Sequence, residues 1–120
     1  MLDGKIVLVT GATRGIGKAI SLTLGKAGAT VIGTATSEAG ANNVSQMLDD
    51  EKISGKGIML DVRDNVQISK LDETIKKDFG SVDILINNAG ITRRIDKSLS
   101  ASAIIDSNSL KSTIKEISNA

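Results

Sequence analysis

Three glycines in seven residues, Gly11, Gly15 and Gly17, stand between the β-branched run Ile6 to Val9 and a helical pattern that begins near Ile16. When a strand buried in a parallel sheet feeds a helix through such a turn, free backbone N–H groups and the positive end of the helix converge on one spot. That spot suits a pyrophosphate. Glycine serves there where the chain turns with positive φ, where a phosphate approaches the backbone and where helix packs closely on strand. The spacing is Gly-x-x-x-Gly-x-Gly rather than Gly-x-Gly-x-x-Gly, and plain turn chemistry is the competing reading of these glycines. The next informative place is the end of the second strand, where an acidic side chain would accept from the adenosine ribose 2′-hydroxyl in an NAD site. Here the residues are Gly33-Thr34-Ala35-Thr36-Ser37. No carboxylate stands there to repel a 2′-phosphate, Thr36 offers a hydroxyl donor, and Arg14 can bring a guanidinium to the same corner. NADP(H) is thereby favoured over NAD(H), with a solvated Arg14 and a helix-capping Thr36 as the alternatives.

Two further groups belong with these. Asp61 and Val62, just past the third strand, can frame an adenine through a carboxylate acceptor and an apolar contact, although Asp61 suits a cap on the next turn equally well. Asn87-Asn88-Ala89-Gly90 closes the fourth strand with two amides able to tie neighbouring strand ends together, followed by small residues that leave room for a ribose. An ordinary turn is the other reading of two asparagines before Ala-Gly.

Composition excludes much else. The 120 residues contain no cysteine and no histidine, which removes disulfides, thiolate chemistry, His/Cys metal sites and every Ser-His-Asp or Cys-His arrangement. Neither a metalloenzyme nor a triad hydrolase is therefore expected, and no metal site is assigned. Fifteen Lys plus Arg against 14 Asp plus Glu leave a formal charge of +1, so nothing draws the chain to nucleic acid or to a membrane surface. The run Ile6 to Val9 is too short for a signal-peptide core or a membrane span. The expected location is the cytoplasm.

These residues need a frame that brings strand ends together. Lys5 to Thr10 reads as a first strand buried on both faces, and Ile16, Ile20, Leu24 and Ala27 recur at helical spacing up to Gly28. The pattern repeats with a strand at Thr30 to Thr34 and a helix from Glu38 to Asp50, whose apolar side is Val44, Met47 and Leu48. A third strand at Gly57 to Leu60 is followed by a helix from Val66 to Phe79, with Ile68, Leu71, Ile75 and Phe79 inward and Gly80 as its stop. Asp83 to Asn87 makes the fourth strand. Alternating strands and helices of this length predict an α/β fold: a Rossmann-type open parallel sheet with flanking helices, built by right-handed crossovers and ordered 3-2-1-4. Ligands in such sheets bind beyond the carboxyl ends of the strands. Residues 1–93 form this βαβαβαβ half, and residues 94–120 are a serine-rich tail in which Ile104, Leu110, Ile114 and Ile117 hint at one helix.

The combination of Thr10-Gly11-x-x-x-Gly15-x-Gly17 with Asn87-Asn88-Ala89-Gly90 resembles the short-chain dehydrogenases/reductases. The stretches Val31 to Glu38 and Asp83 to Arg93 look more narrowly like bacterial 3-oxoacyl-[acyl-carrier-protein] reductases of fatty acid synthesis, and the likeness covers about residues 1–93. It implies that Gly11, Ala12, Thr13, Arg14 and Ile16 line phosphates and ribose. It further implies that Thr36 meets the 2′-phosphate, Asp61 and Val62 hold the adenine, and Asn87, Asn88, Ala89 and Gly90 flank the inner ribose. The implied cofactor is NADP(H), and the implied partner is an acyl carrier protein thioester.

The family's proton donor is a tyrosine four residues before a lysine, and this sequence has no tyrosine. A phenol of pKa about 10 can be drawn toward neutrality by a nearby ammonium, whereas an aliphatic hydroxyl cannot. Ser107, four residues before Lys111, is therefore no substitute. The chain is expected to be inactive alone, and to be a truncated or frame-shifted product of a longer reductase gene. It also leaves the fourth strand as an apolar edge, so self-association is expected unless the tail covers it. Two other readings remain: a non-catalytic module that binds nucleotide or pairs with a reductase, and a flavodoxin-like mononucleotide site. The latter leaves both asparagines and the pairing of Arg14 with Thr36 without a role.

Overall fold

Alternating strands and helices build the chain, and the structure, a computed structural model, describes residues 2–13, 15–61, 64–88 and 101–106. The elements run β1 (Ile6–Val9), α1 (Gly15–Lys26), β2 (Thr30–Ala35), α2 (Glu38–Asp50), β3 (Gly55–Met59), α3 (Asn65–Asp78), β4 (Val82–Asn87) and β5 (Ala101–Asp106). All pairings are parallel, and the sheet order is β3-β2-β1-β4-β5. The four strands expected from the sequence thus lie in the order 3-2-1-4, with β1 between β2 and β4.

The two faces of the sheet follow from strand alternation. Val7, Val9, Val31 and Ile86 join Ile20 of α1 and Val44 and Leu48 of α2 in one core. Their neighbours Leu8, Ile32 and Leu85 join Ile68, Leu71 and Ile75 of α3 in the other. Each fully buried Leu, Ile or Val side chain contributes about 1.5–3 kcal/mol relative to exposure. A strand buried on both faces must be apolar at every position, which is why β1 shows no polar alternation. Ser37 caps α2, its side chain accepting from the Gly40 N–H at 3.0 Å. Asp64 caps α3, its carboxylate accepting from Val66 and Gln67.

Two expectations change. β4 is not the edge of the sheet: β5, inside the serine-rich stretch where at most a helix was expected, pairs with it from Val82↔Ala101 to Asn87↔Asp106. Self-association through an uncovered fourth strand therefore loses its basis. Ala101 to Asp106 supplies a six-residue run that a parallel neighbour can use, and its few apolar residues show no period that separates strand from helix. Second, β3 begins at Gly55 and ends at Met59, which is 48% exposed. As an outer strand its unpaired side needs partners, and the Gly57 N–H finds one in Ser45 Oγ of α2 at 2.8 Å.

Candidate functional site

β1 delivers the chain to the glycine turn, and the neighbouring strands on both sides hold that turn. Thr10 is fully buried; its N–H donates to the Ile86 carbonyl at 3.0 Å, continuing the β1–β4 ladder one residue beyond the strand. The Thr10 hydroxyl donates to Asn87 Oδ1 at 3.1 Å and accepts the Asn88 N–H at 2.9 Å. Asn88 Nδ2 then donates to the Gly11 carbonyl at 3.1 Å. From the β2 side, the Gly11 N–H donates to Thr34 Oγ1 at 3.2 Å and the Ala12 N–H to the Thr34 carbonyl at 2.9 Å.

The three glycines divide the work that their spacing implied. Gly11 at φ +67° and Gly15 at φ +60° occupy the left-handed region that side chains resist. Around Gly15 an added Cβ would meet nothing within 4 Å, so the space over its backbone is open. At Gly17 the constraint is contact: a Cβ there would collide with the Gly11 carbonyl oxygen and lie 2.7 Å from Asn88 Nδ2. Helix α1 is thus seated directly against the turn. Its first turn carries no acidic residue, and its leading N–H groups lack intrahelical partners by the geometry of any helix. This end of α1 presents donors and positive potential to the crevice at the carboxyl ends of β1 and β4, where the strand order changes direction.

The other candidates take up separate stations. Thr36 is exposed just past β2, and since Ser37 caps α2, the capping alternative for Thr36 falls away. Asp61 is half-buried past β3; its N–H donates to Gln67 Oε1 at 2.7 Å, and its carbonyl accepts the Asp64 N–H at 3.0 Å. Asp64, not Asp61, is the cap of α3. Ala12 is buried under the turn, while Thr13 is exposed beside the start of α2. Arg14, Val62, Ala89 and Gly90, and also Ser107 and Lys111, lie outside the described residues.

Thr34 holds the site yet escapes a reading by residue type, and Thr10 enters one only as the first residue of the glycine motif. Both resemble ordinary strand threonines, and their position beside the glycine turn distinguishes them. Both are buried, Thr34 at 2% exposure, and a buried hydroxyl requires a partner.

A parallel 3-2-1-4 sheet with helices on both faces and a glycine turn clamped at the end of its central strand defines a Rossmann-type α/β protein. The chain belongs to the short-chain dehydrogenase family, whose sequence profile matches residues 5–115. That match runs past Arg93, where the likeness read from motifs ended, and takes in β5. Among curated relatives the chain is 59% identical over 92 residues to the 3-oxoacyl-[acyl-carrier-protein] reductase FabG of Haemophilus influenzae, covering 77% of this chain and 37% of that one. It is 58% identical over 91 residues to the Escherichia coli reductase of the same name, covering 76% and 36%. With that of Pseudomonas aeruginosa it is 49% identical over 92 residues, covering 77% and 37%. The chain spans little more than a third of the length of these relatives. Among the described residues no helix is long and apolar enough to cross a membrane, and no group of His, Cys, Asp or Glu is placed to hold a metal ion.

Proposed function

We propose that this chain is the NADP(H)-binding portion of a cytoplasmic short-chain reductase of the 3-oxoacyl-[acyl-carrier-protein] type. The observation that carries the reading is the turn from Gly11 to Gly17. It is fixed by Asn88 on one side and Thr34 on the other, and it opens onto an acid-free helix start. The donor set fits a dinucleotide: open backbone at Gly15, N–H groups without intrahelical partners at the start of α1, and no carboxylate between Gly33 and Ser37. A hydrogen bond to a charged group is worth about 1.5–3 kcal/mol, so two or three such N–H groups suffice to seat a pyrophosphate.

In this reading the Gly15 and Ile16 backbone meets the pyrophosphate, while Thr36 and Arg14 hold the 2′-phosphate. Asp61 and Val62 frame the adenine, and Asn87, Asn88, Ala89 and Gly90 border the inner ribose. Bound NADPH supplies a hydride, and the relatives' name indicates a 3-oxoacyl thioester on acyl carrier protein as its acceptor. With no tyrosine in the sequence, these 120 residues bind without turnover. That absence favours, as a second reading, a non-catalytic module that binds nucleotide or pairs with a complete reductase chain.

Fluorescence titration with NADPH and NADH, on this chain and on Arg14→Ala, tests the proposal. NADPH is expected to bind more tightly than NADH, and Arg14→Ala to erase the difference. Equal weak signals for both nucleotides in the unmodified chain refute the cofactor assignment. Oxidation of NADPH by an acetoacetyl thioester above background refutes the assignment of a binding-only role.

A further inference from the structure

Thr34 reaches the glycine turn twice. Its hydroxyl accepts the Gly11 N–H at 3.2 Å, and its carbonyl accepts the Ala12 N–H at 2.9 Å. Two consequences follow. The Gly11 and Ala12 amides are engaged inside the protein, so these two are not the donors to an anion, and the N–H groups that begin α1 take that place. Thr34 also stands two residues before Thr36, so the end of β2 both anchors the turn and leads into the residue whose hydroxyl is assigned to the 2′-phosphate. Strand backbone rises about 3.3 Å per residue, and Thr36 directly follows Ala35, the last residue of β2, so anchoring Thr34 limits the separation between these two points.

We infer that Thr34 is a positioning residue that sets the spacing between the pyrophosphate cradle and the 2′-phosphate corner. This rests on the NADP(H) reading above for its ligand. Thr34 touches neither phosphate; it acts through Gly11 and Ala12. Because Thr34 is buried, exchanging its hydroxyl for a methyl group in Thr34→Val keeps the shape and removes the acceptor of the Gly11 N–H.

The experiment compares the full chain with Thr34→Val and Thr34→Ser, reading two ligands and one amide. The ligands are NADPH and adenosine 2′-monophosphate, which carries the 2′-phosphate but no pyrophosphate. Thr34→Val is expected to weaken NADPH about tenfold, the size of one lost hydrogen bond, while leaving adenosine 2′-monophosphate within about twofold; Thr34→Ser should recover NADPH. Equal weakening of both ligands, or none, overturns the inference, since a merely structural role moves them together. Hydrogen exchange at the Gly11 amide, referenced to Leu71 in α3, is expected to accelerate at least tenfold in Thr34→Val and to stay slow in Thr34→Ser. Unchanged exchange at Gly11 overturns the inference whether or not nucleotide binds. Absence of binding by the unmodified chain refutes the NADP(H) reading instead, and the exchange result then decides on Thr34 alone.

Discussion

The side-chain amide of Asn88 donates to the carbonyl of Gly11 at 3.1 Å across a sequence separation of 77 residues. Through this bond the end of β4 fixes the first peptide of the turn after β1, and Gly17 packs beneath both groups. An amide is required, because a carboxylate at neutral pH has no hydrogen to donate and would oppose the carbonyl oxygen. Asn88→Ala is expected to lower stability by about 1 kcal/mol and Asn88→Asp by more, measured by urea denaturation at neutral pH. Equal stability of Asn88→Asp and the unmodified chain would show that the bond is not formed.

Thr10→Val tests the neighbouring bonds. Its hydroxyl serves Asn87 Oδ1 and the Asn88 N–H from a fully buried position, so an isosteric methyl group leaves an acceptor and a donor without this partner. A loss of about 1–3 kcal/mol is expected, visible as a lower denaturation midpoint with unchanged slope.

Gly15 and Gly17 are expected to respond differently to alanine. Gly17→Ala drives a Cβ into the Gly11 carbonyl and should cost about 1–3 kcal/mol, as overpacking does. Gly15→Ala meets open space at φ +60°, so its stability cost is the left-handed penalty of about 1–2 kcal/mol. Its larger effect should fall on NADPH binding, because the added methyl group occupies the space proposed for phosphate. Paired melting and titration curves separate the two outcomes; a Gly15→Ala protein that binds NADPH normally would remove Gly15 from the cradle.

Lys52 follows α2 with φ +58°, and no other non-glycine among the described residues has positive φ. It occupies the position after a helix where glycine is preferred. Lys52→Gly relieves a strain of about 1–2 kcal/mol and concedes about 0.5–1 kcal/mol of chain entropy. Net stabilisation of a few tenths to about 1 kcal/mol is expected; a lower melting temperature than the parent chain contradicts it.

β5 is the neighbour that removes β4 from the edge of the sheet. In a parallel strand, successive residues direct their N–H groups to opposite sides, so prolines at both Ala103 and Ile104 must remove one ladder bond to β4. The double variant is expected to expose the β4 edge and to self-associate more than the unmodified chain at micromolar concentration. Light scattering and size-exclusion profiles check this, and matching profiles would mean that β5 does not guard that edge.

Much of this architecture is legible from local pattern. The Glu38–Asp50 helix emerges with its observed bounds, because Val44, Met47 and Leu48 mark one face. The order 3-2-1-4 follows from alternating strands and helices. The spacing of Ile16, Ile20 and Leu24 is likewise met by α1. β5 is hidden because a short apolar run in a serine-rich stretch carries no period of its own.

The sequence by itself determined the α/β class, the glycine turn, the absence of a carboxylate between Gly33 and Ser37, and the lack of a tyrosine, all properties of residue type and near-neighbour spacing. Only the tertiary structure decided which glycine is conformational and which is steric, that Ser37 rather than Thr36 caps α2, that Thr34 anchors the turn, and that β5 covers β4. The anchoring by Thr34 and the cover by β5 depend on strand register, and register is set by packing on both faces of the sheet at once. A hydrogen bond between Asn88 and Gly11 has no trace in local sequence, because the two residues become neighbours only after that packing is complete.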